Sequence, residues 1–527
     1  MLKTYATVTK KIILWIYALM SVLTAGLCLF GGYSEYAYKK YFPLPDIAYV
    51  LTGLSFVLLI GTGIHFLMRT SFFERFEKPC IFGLSAVMLG FTVFATHFYY
   101  FKTGWDAGIM AKDAAVLADG NAAGLYNAYY SIYPNNVFLT VIFSLVIRVG
   151  RLIRVLPDYY LLIVFQCFSM TACGVMLYFA TRRITGKRTA AALSWILFII
   201  LGNASPWVVI PYSDTVGMLF MTVLVILYAY DKLPFLIGFI LITGYYVKPG
   251  VLIFGIALLL SHLPGIIKNI RIKKTVYRAA MVLAGFIAGF ITVRAVNHFS
   301  GYELDAEKRM GMSHYLMMGL NEEYNGVINI EDQNFSFSIP TAEERRGANL
   351  KVAWERLKNM GFGGFIKHLG RKMLTAFNDG SFAWACEGEF ITEYIWTGQE
   401  KIEAVFRNYY YPDGKNYGIF LGVTQSAWMA VLVLGAAGGV CNLFGCLGRR
   451  KTGNPGKSSS GENLTITKEK LLTLLLTIVG TVIYEMVFEP RARHILVYLP
   501  IYIMVAANAY YDLTGFIYDR ADGSKNE

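Results

Sequence analysis

The sequence predicts an all-α polytopic membrane protein: about 12 transmembrane helices, a surface or re-entrant helix, and a long mixed extracellular loop. Three observations predict it. The 527-residue chain is 56% hydrophobic and only 16% charged, where soluble domains carry nearer a quarter charged residues. Apolar runs of roughly 17 to 25 residues, enough to cross about 30 Å of hydrocarbon, recur along most of the chain. These runs are apolar on every helical face, which excludes one large soluble core.

The charge and cysteine content narrow the class further. Net charge is +13, but Lys and Arg cluster in short loops beside the apolar runs, where they set orientation. Nucleic acid is therefore excluded as a partner. Of seven Cys, only Cys386 falls in a long polar segment, so no outer disulfide framework is available within the chain. Cys441 and Cys446 have no paired Cys or His motif nearby, so they read as helix packing and not as zinc ligands.

In chain order, spans are expected near 12–33, 47–68, 80–100, 158–181, 189–208, 211–230, 234–247, 249–264, 276–297, 418–443, 471–488 and 494–511. The first follows Lys10-Lys11, exceeds a signal h-region in length and lacks a small-x-small cleavage site, so it is an anchor. The segment 137–153 decides the parity of everything after it. If it does not cross and the N-terminus is cytoplasmic, every inner loop is basic: Lys10 and Lys11, Arg69 and Arg75, Arg182 to Arg188, Lys268 to Arg278, and Arg449 to Lys451. That is the positive-inside pattern. The segment 137–153 is then a helix along or dipping into the outer surface, with Arg148, Arg151 and Arg154 snorkelling to headgroups.

The domain organisation that follows places an N-terminal transmembrane module at 1–297, with a catalytic outer loop at 101–136. An extracellular loop domain occupies 298–417, C-terminal transmembrane helices 418–511, and a cytoplasmic tail 512–527. The chain is expected in the plasma membrane with both termini cytoplasmic. On the inner side, the stretch Thr452 to Gly461 is a flexible basic linker; its glycine spacing is wrong for a phosphate loop and no strand precedes it.

Polar groups collect on the outer face. They are Trp105-Asp106, Tyr133-Pro134-Asn135-Asn136, Pro211-Tyr212-Ser213-Asp214, Lys248 before Pro249, His314 and Asn378-Asp379-Gly380, and Glu489-Pro490-Arg491-Ala492-Arg493-His494. Charges at a membrane edge are expensive and mark functional positions. An outward-facing transferase lacks nucleotide sugars, so its donor has to arrive through the bilayer as a lipid-phosphate-linked sugar. A base must take the acceptor proton, and Asp106 fits. Cations must stabilise the departing phosphate, and Lys248, Arg491 and Arg493 fit. Each residue also has a structural reading. Asp106 can be a hydrated loop acid, Asp214 a helix cap, and Lys248 a snorkelling side chain. Glu489, Arg491 and Arg493 can form a structural ion pair, and His314 and the 378–380 turn can serve loop structure.

Taken together, Trp105-Asp106, Tyr133-Pro134-Asn135-Asn136, Pro211-Tyr212-Ser213-Asp214 and Glu489-Pro490-Arg491-Ala492-Arg493-His494 resemble the GT-C superfamily of integral membrane glycosyltransferases. The likeness is to the protein O-mannosyltransferase and aminoarabinose transferase branch. The stretches 313–321 and 377–382 look like ones found in Gram-positive proteins of that type. The resemblance covers roughly 80–511 and implies a polyprenyl-phosphate-sugar donor, an acidic base in the first catalytic loop, and surface helices in that loop. It matches Asp106 to the loop acid, Asp214 to a later membrane-edge acid, and Arg491 and Arg493 to a late basic pair. Here the loop follows the third span, implying an added N-terminal hairpin. No cofactor is assigned: many relatives show adjacent acids, whereas Asp106 is followed by Ala107, and a second acid for a divalent metal would be Asp113 or more distant.

The expected function is transfer of a sugar from a polyprenyl-phosphate donor to a cell-envelope glycan or lipid acceptor on the extracytoplasmic face. Asp106 is the expected catalytic base. Trp105, Tyr133, Asn135, Asn136, Asp214, Lys248, His314, Glu489, Arg491 and Arg493 are the expected substrate contacts, with membrane lipids around them. The alternatives are a lipid-linked glycan flippase or transporter, an envelope polysaccharide ligase or polymerase, and a non-catalytic scaffold.

Overall fold

The computed structural model describes residues 2–30, 46–153, 156–267, 272–387, 391–444 and 461–523. Arg154, Lys268, Arg271, Cys446 and the basic linker at 449–460 lie outside the described residues. The N-terminal helices are α1 (Leu2–Phe30), α2 (Asp46–Leu67) and α3 (Ser71–Tyr99). A loop region follows with β1 (Phe101–Thr103), α4 (Asp106–Ala118), α5 (Asn127–Ile132) and α6 (Asn136–Ile153). Then come α7 (Asp158–Thr185), α8 (Arg188–Phe198), α9 (Ser213–Tyr230), α10 (Pro234–Val247), α11 (Leu252–Ile267) and α12 (Ile272–Phe299). A second polar region holds α13 (Met312–Gly319), α14 (Ile330–Phe337), α15 (Ala342–Phe377), α16 (Trp384–Glu387), β2 (Ile391–Tyr394) and α17 (Glu400–Tyr410). The chain closes with α18 (Tyr417–Phe444), α19 (Gly461–Val487) and α20 (Leu499–Gly523).

The fold is all-α and polytopic, with 10 helices among the described residues long and apolar enough to cross a membrane. Three expected spans are shorter than that. The run at 189–208 breaks after α8 into a π turn (Ile199–Asn203) and a 3-10 turn that begins at Pro206. Pro234 opens α10, and Pro249 opens the 3-10 turn that leads into α11, positions where the missing N–H costs nothing. In the other direction, α6 has the length and composition of a span.

The bundle has two charged edges. At one, Glu74 and Glu77 from the start of α3 take Arg188 at 3.0 and 2.9 Å, and Arg182 from the end of α7 reaches Glu77 at 3.4 Å. Lys10–Glu469, Lys187–Asp512 and Arg278–Asp231 join the same edge. At the other, the Tyr160 hydroxyl near the start of α7 donates to Val93 O near the end of α3 at 2.6 Å. Helices α3 and α7 are therefore antiparallel, and the chain between them leaves and returns at one edge. The segment containing α6 makes no net crossing, as the charge pattern requires.

The arginines of α6 do not behave as expected. Instead of snorkelling, Arg148 donates to Leu117 O at 2.5 Å, and Arg151 forks onto Asp158 at 2.9 and 2.6 Å while reaching Asp119 at 2.6 Å. The ends of α4 and α7 supply acceptors within reach, so protein and not headgroups holds these guanidinium groups.

The chain between 298 and 417 does not stay clear of the helical bundle. Helix α15 breaks at Gly361, with φ 60° and ψ 180°, a backbone region open essentially to glycine alone. Its second half descends into the bundle beside α1 and α19. Phe377 O there accepts the Trp428 indole N–H at 2.7 Å, and Gly380 N–H donates to Gln425 Oε1 at 2.6 Å. Gln425 lies on α18 about 12 Å along the axis from Tyr417. The chain reverses at this depth in a turn that Asp379 organises, its two oxygens accepting Ser381 N–H and Ala383 N–H, each at 2.7 Å. Those bonds hold Phe382 and Ala383 at φ 55° and 67°. Irregular backbone at such depth requires internal partners, and Trp207 supplies another by donating to Ser381 O at 3.2 Å. The chain then climbs back so that β2 pairs antiparallel with β1, Phe101 opposite Tyr394. The Asn378-Asp379-Gly380 turn is thus a buried structural device.

Candidate active site

Asp106 is the first residue of α4, with Trp105 at the cap position, where the helix dipole favours a carboxylate. A Cβ on Gly108 would lie 1.7 Å from Thr103 O, so glycine lets the first turn of α4 fold onto β1. That close approach aims Asp106 at Tyr212, whose hydroxyl donates to Asp106 Oδ2 at 2.9 Å. Trp105 meets the Tyr212 ring edge-on at 4.7 Å between centroids.

Tyr212 introduces α9, and Asp214 sits in the first turn of that helix. Asp214 is buried and makes no cap: its Oδ1 stands 2.5 Å from Lys248 Nζ and its Oδ2 3.8 Å from Arg493 Nε. Neither oxygen is in hydrogen-bond alignment with a described partner. Lys248 ends α10, and the turn after it packs closely. A Cβ on Gly250 would fall 2.2 Å from the Tyr498 hydroxyl, which donates to Gly250 O at 2.9 Å. Lys248 is held there, not snorkelling outward. The Arg493 guanidinium lies 4.7 Å over Trp105 and 5.5 Å over Tyr212, a cation–π arrangement. The Trp105 indole N–H is buried without a hydrogen-bond partner among the described residues.

The structure thus brings Trp105, Asp106, Asp214, Lys248 and Arg493 together with Tyr212. Other expected contacts fall around this group. Arg491 turns away from it, donating from Nε to Glu489 Oε1 at 2.7 Å and from its backbone to Glu485 Oε2 at 3.0 Å. Glu489 Oε1 also accepts Ile328 N–H at 3.2 Å, so this pair fastens the second polar region to the bundle. The Tyr133 hydroxyl, outside the helical spans, is pushed up to about 12 by burial and by the charges of Asp106 and Glu489. Asn135 donates to Asn136 Oδ1 at 2.9 Å, and Asn136 donates to the Tyr129 hydroxyl at 2.6 Å; Asn136 is a buried loop fastener. His314 is apart from the group, buried and sharing a 2.7 Å hydrogen bond with Ser336, which donates to Asn349. Burial pushes its imidazole down.

Asp113 is also a fastener. Its Oδ2 accepts Tyr126 N–H at 2.9 Å and the Tyr302 hydroxyl at 3.3 Å, and burial raises its carboxyl. Among the described residues no group of three or more His, Cys, Asp or Glu is placed to hold a metal. Two residues of this region stand outside the contacts expected from the sequence. Tyr212 was singled out only as part of the Pro211-Tyr212-Ser213-Asp214 turn, with no role of its own. Glu485 is buried with its Oε1 3.4 Å from His494 Nδ1, and its signal was being a lone acid inside an apolar run.

A family model described as a conserved hypothetical integral membrane protein matches residues 7–440. The match includes Trp105, Asp106, Tyr212, Asp214 and Lys248 and ends before Glu489 to Arg493. No curated protein and no solved structure matches the chain.

Proposed function

The chain belongs to this family of conserved hypothetical integral membrane proteins, and from the arrangement around Asp106 and Asp214 we propose a glycosyltransferase of the GT-C kind. It moves a sugar from a polyprenyl-phosphate-linked donor to a cell-envelope glycan or lipid acceptor at the edge that carries Asp106. One observation carries the reading: the first turns of α4 and α9, the Lys248 turn and Arg493 meet around one buried carboxylate, beside a second that is hydrogen-bonded to Tyr212.

In this reading Tyr212 orients Asp106 through Oδ2, and Oδ1 accepts the acceptor hydroxyl proton. The acceptor oxygen then bonds to the anomeric carbon, and the bond from that carbon to the lipid phosphate breaks with its electron pair on the phosphate oxygen. Lys248 and Arg493 stabilise that charge, in a site where Asp214 holds both cations in place beforehand. The opposite edge gathers Lys10, Arg182, Lys187, Arg188 and Arg278. That supports a cytoplasmic assignment for it and an outward-facing site.

The test uses purified protein in liposomes with radiolabelled polyprenyl-phosphate sugars, wild type beside Asp106→Asn. The expected result is sugar-lipid consumption that falls roughly a hundred- to ten-thousand-fold in the variant while donor binding persists. Undiminished turnover would remove Asp106 as the base. Intact sugar-lipid changing leaflet equally in both proteins would replace the transferase with a flippase.

A further inference from the structure

We infer that the elbow of α15 is a lipid-seated foot, which docks the second polar region onto the headgroup layer on the Asp106 side of the membrane. The inference stands apart from the transferase reading. The first half of α15 is locked on one face. Arg345 donates to the carbonyls of Ser336, Glu307, Arg309 and Ile339, and Arg356 pairs with Asp332 at 2.6 Å. The opposite face is bare and apolar, with Trp354 67% and Phe362 84% exposed and Leu350 and Ile366 exposed as well. Residues 350 and 354, and again 362 and 366, are spaced to share a helical face. Exposed Lys351, Lys358 and Lys367 border that stripe.

Position identifies the occupant. Phe377 packs at 6.2 Å against Tyr502 inside the bundle, and Phe362 lies about 22 Å up the same helix from it. Phe377 sits near Gln425, about 12 Å below the end of α18, so the elbow emerges at headgroup height. Neighbouring α1 carries the same exposed apolar surface outward through Leu19, Leu23 and Phe30, so the stripe continues the lipid-facing wall. A Trp with flanking lysines fits that layer, the indole at the interface and the ammonium groups on lipid phosphates. Gly361 makes the elbow by conformation alone, since an added Cβ there would meet nothing within 4 Å.

The foot has a consequence for the site. The descending half bears His368 and Lys372, which both bond Gly319 O at 2.8 Å. Gly319 packs on Val487 and Phe488, next to Glu489. The depth of the foot therefore bears on the Glu489–Arg491 pair.

The test is Phe362→Trp in nanodiscs of phosphatidylcholine and phosphatidylglycerol, with or without brominated acyl chains. The difference from wild type isolates the added indole. Its emission should lose roughly half its intensity in brominated lipid and little to aqueous iodide, as for an interfacial Trp. Quenching by iodide and not by bromine would overturn the foot. So would protection from both, which would mean that a second copy covers it. Ile366→Trp carries the same expectation and guards against a folding defect in the first variant. Replacing Lys358 and Lys367 by Glu should weaken the bromine quenching when phosphatidylglycerol is present; an unchanged value would remove the lysines from the inference.

Discussion

The two charged edges of the bundle use the same residue types to different ends. At the basic edge each pair is partly open to solvent, with Arg188 30% and its partner Glu74 59% exposed. At the site edge Asp214 is 2% exposed, with Lys248 at 15% and Arg493 at 13%. Exposed pairs contribute little to stability, so the basic edge is explained by orientation. Burying two cations on one carboxylate, with a second carboxylate a tyrosine away, costs desolvation that stability alone does not require. The difference teaches that a site is recognised here by buried charge that several chain segments share, not by charge as such.

Substitutions can break or sharpen that comparison. Beyond Asp106→Asn, the largest effect is expected from Asp214→Ala, which leaves Lys248 and Arg493 side by side in a buried setting. Unfolding followed by intrinsic fluorescence should show a loss of about 3–5 kcal/mol. Next is Asp379→Ala, which removes the acceptor for two buried N–H groups at the bottom of the re-entrant turn and should cost on the order of 3 kcal/mol in the same measurement. At the basic edge Arg188→Ala should cost less than about 1 kcal/mol; a loss as large as that for Asp214→Ala would erase the distinction between the edges.

The smallest effect is a pH dependence. Burial lowers the folded-state pKa of His314 below its ordinary 6.5. Its neutral form thus adds stability in full above that value, and the contribution is lost as pH falls through 6.5 toward the folded pKa. Melting temperature should decline over that acid window in wild type, and His314→Asn should flatten the decline. An identical slope in both would place the acid sensitivity elsewhere.

Much of this was legible in the sequence. The apolar runs fixed the helices, and Asp106, Asp214, Lys248 and Arg493 stood out as polar residues beside them. Arg491 and Arg493 could not be told apart, because they lie two residues apart where the chain enters a 3-10 turn and so point to different partners. The re-entrant half of α15 was illegible for a related reason. Its sequence carries Lys367, His368, Arg371 and Lys372 among glycines, which reads as an outer loop. The Gly319 carbonyl, more than forty positions earlier, accepts from both His368 and Lys372 and helps make their burial tolerable. A surface or re-entrant helix was expected at 137–153, and no reversal was expected in 298–417. The helix at 136–153 is held by Asp119 and Asp158, and a further deep reversal occurs at Asp379.

The most direct measurement is binding of sugar-free polyprenyl phosphate to the protein in nanodiscs, for wild type, Arg493→Ala and Arg188→Ala. Losing one charged hydrogen-bond donor is worth about 1.5–3 kcal/mol, so Arg493→Ala should bind roughly ten- to a hundredfold more weakly while Arg188→Ala matches wild type. Equal affinity in all three, or equal loss in both variants, would contradict the assignment of the buried cluster as the site of the lipid phosphate.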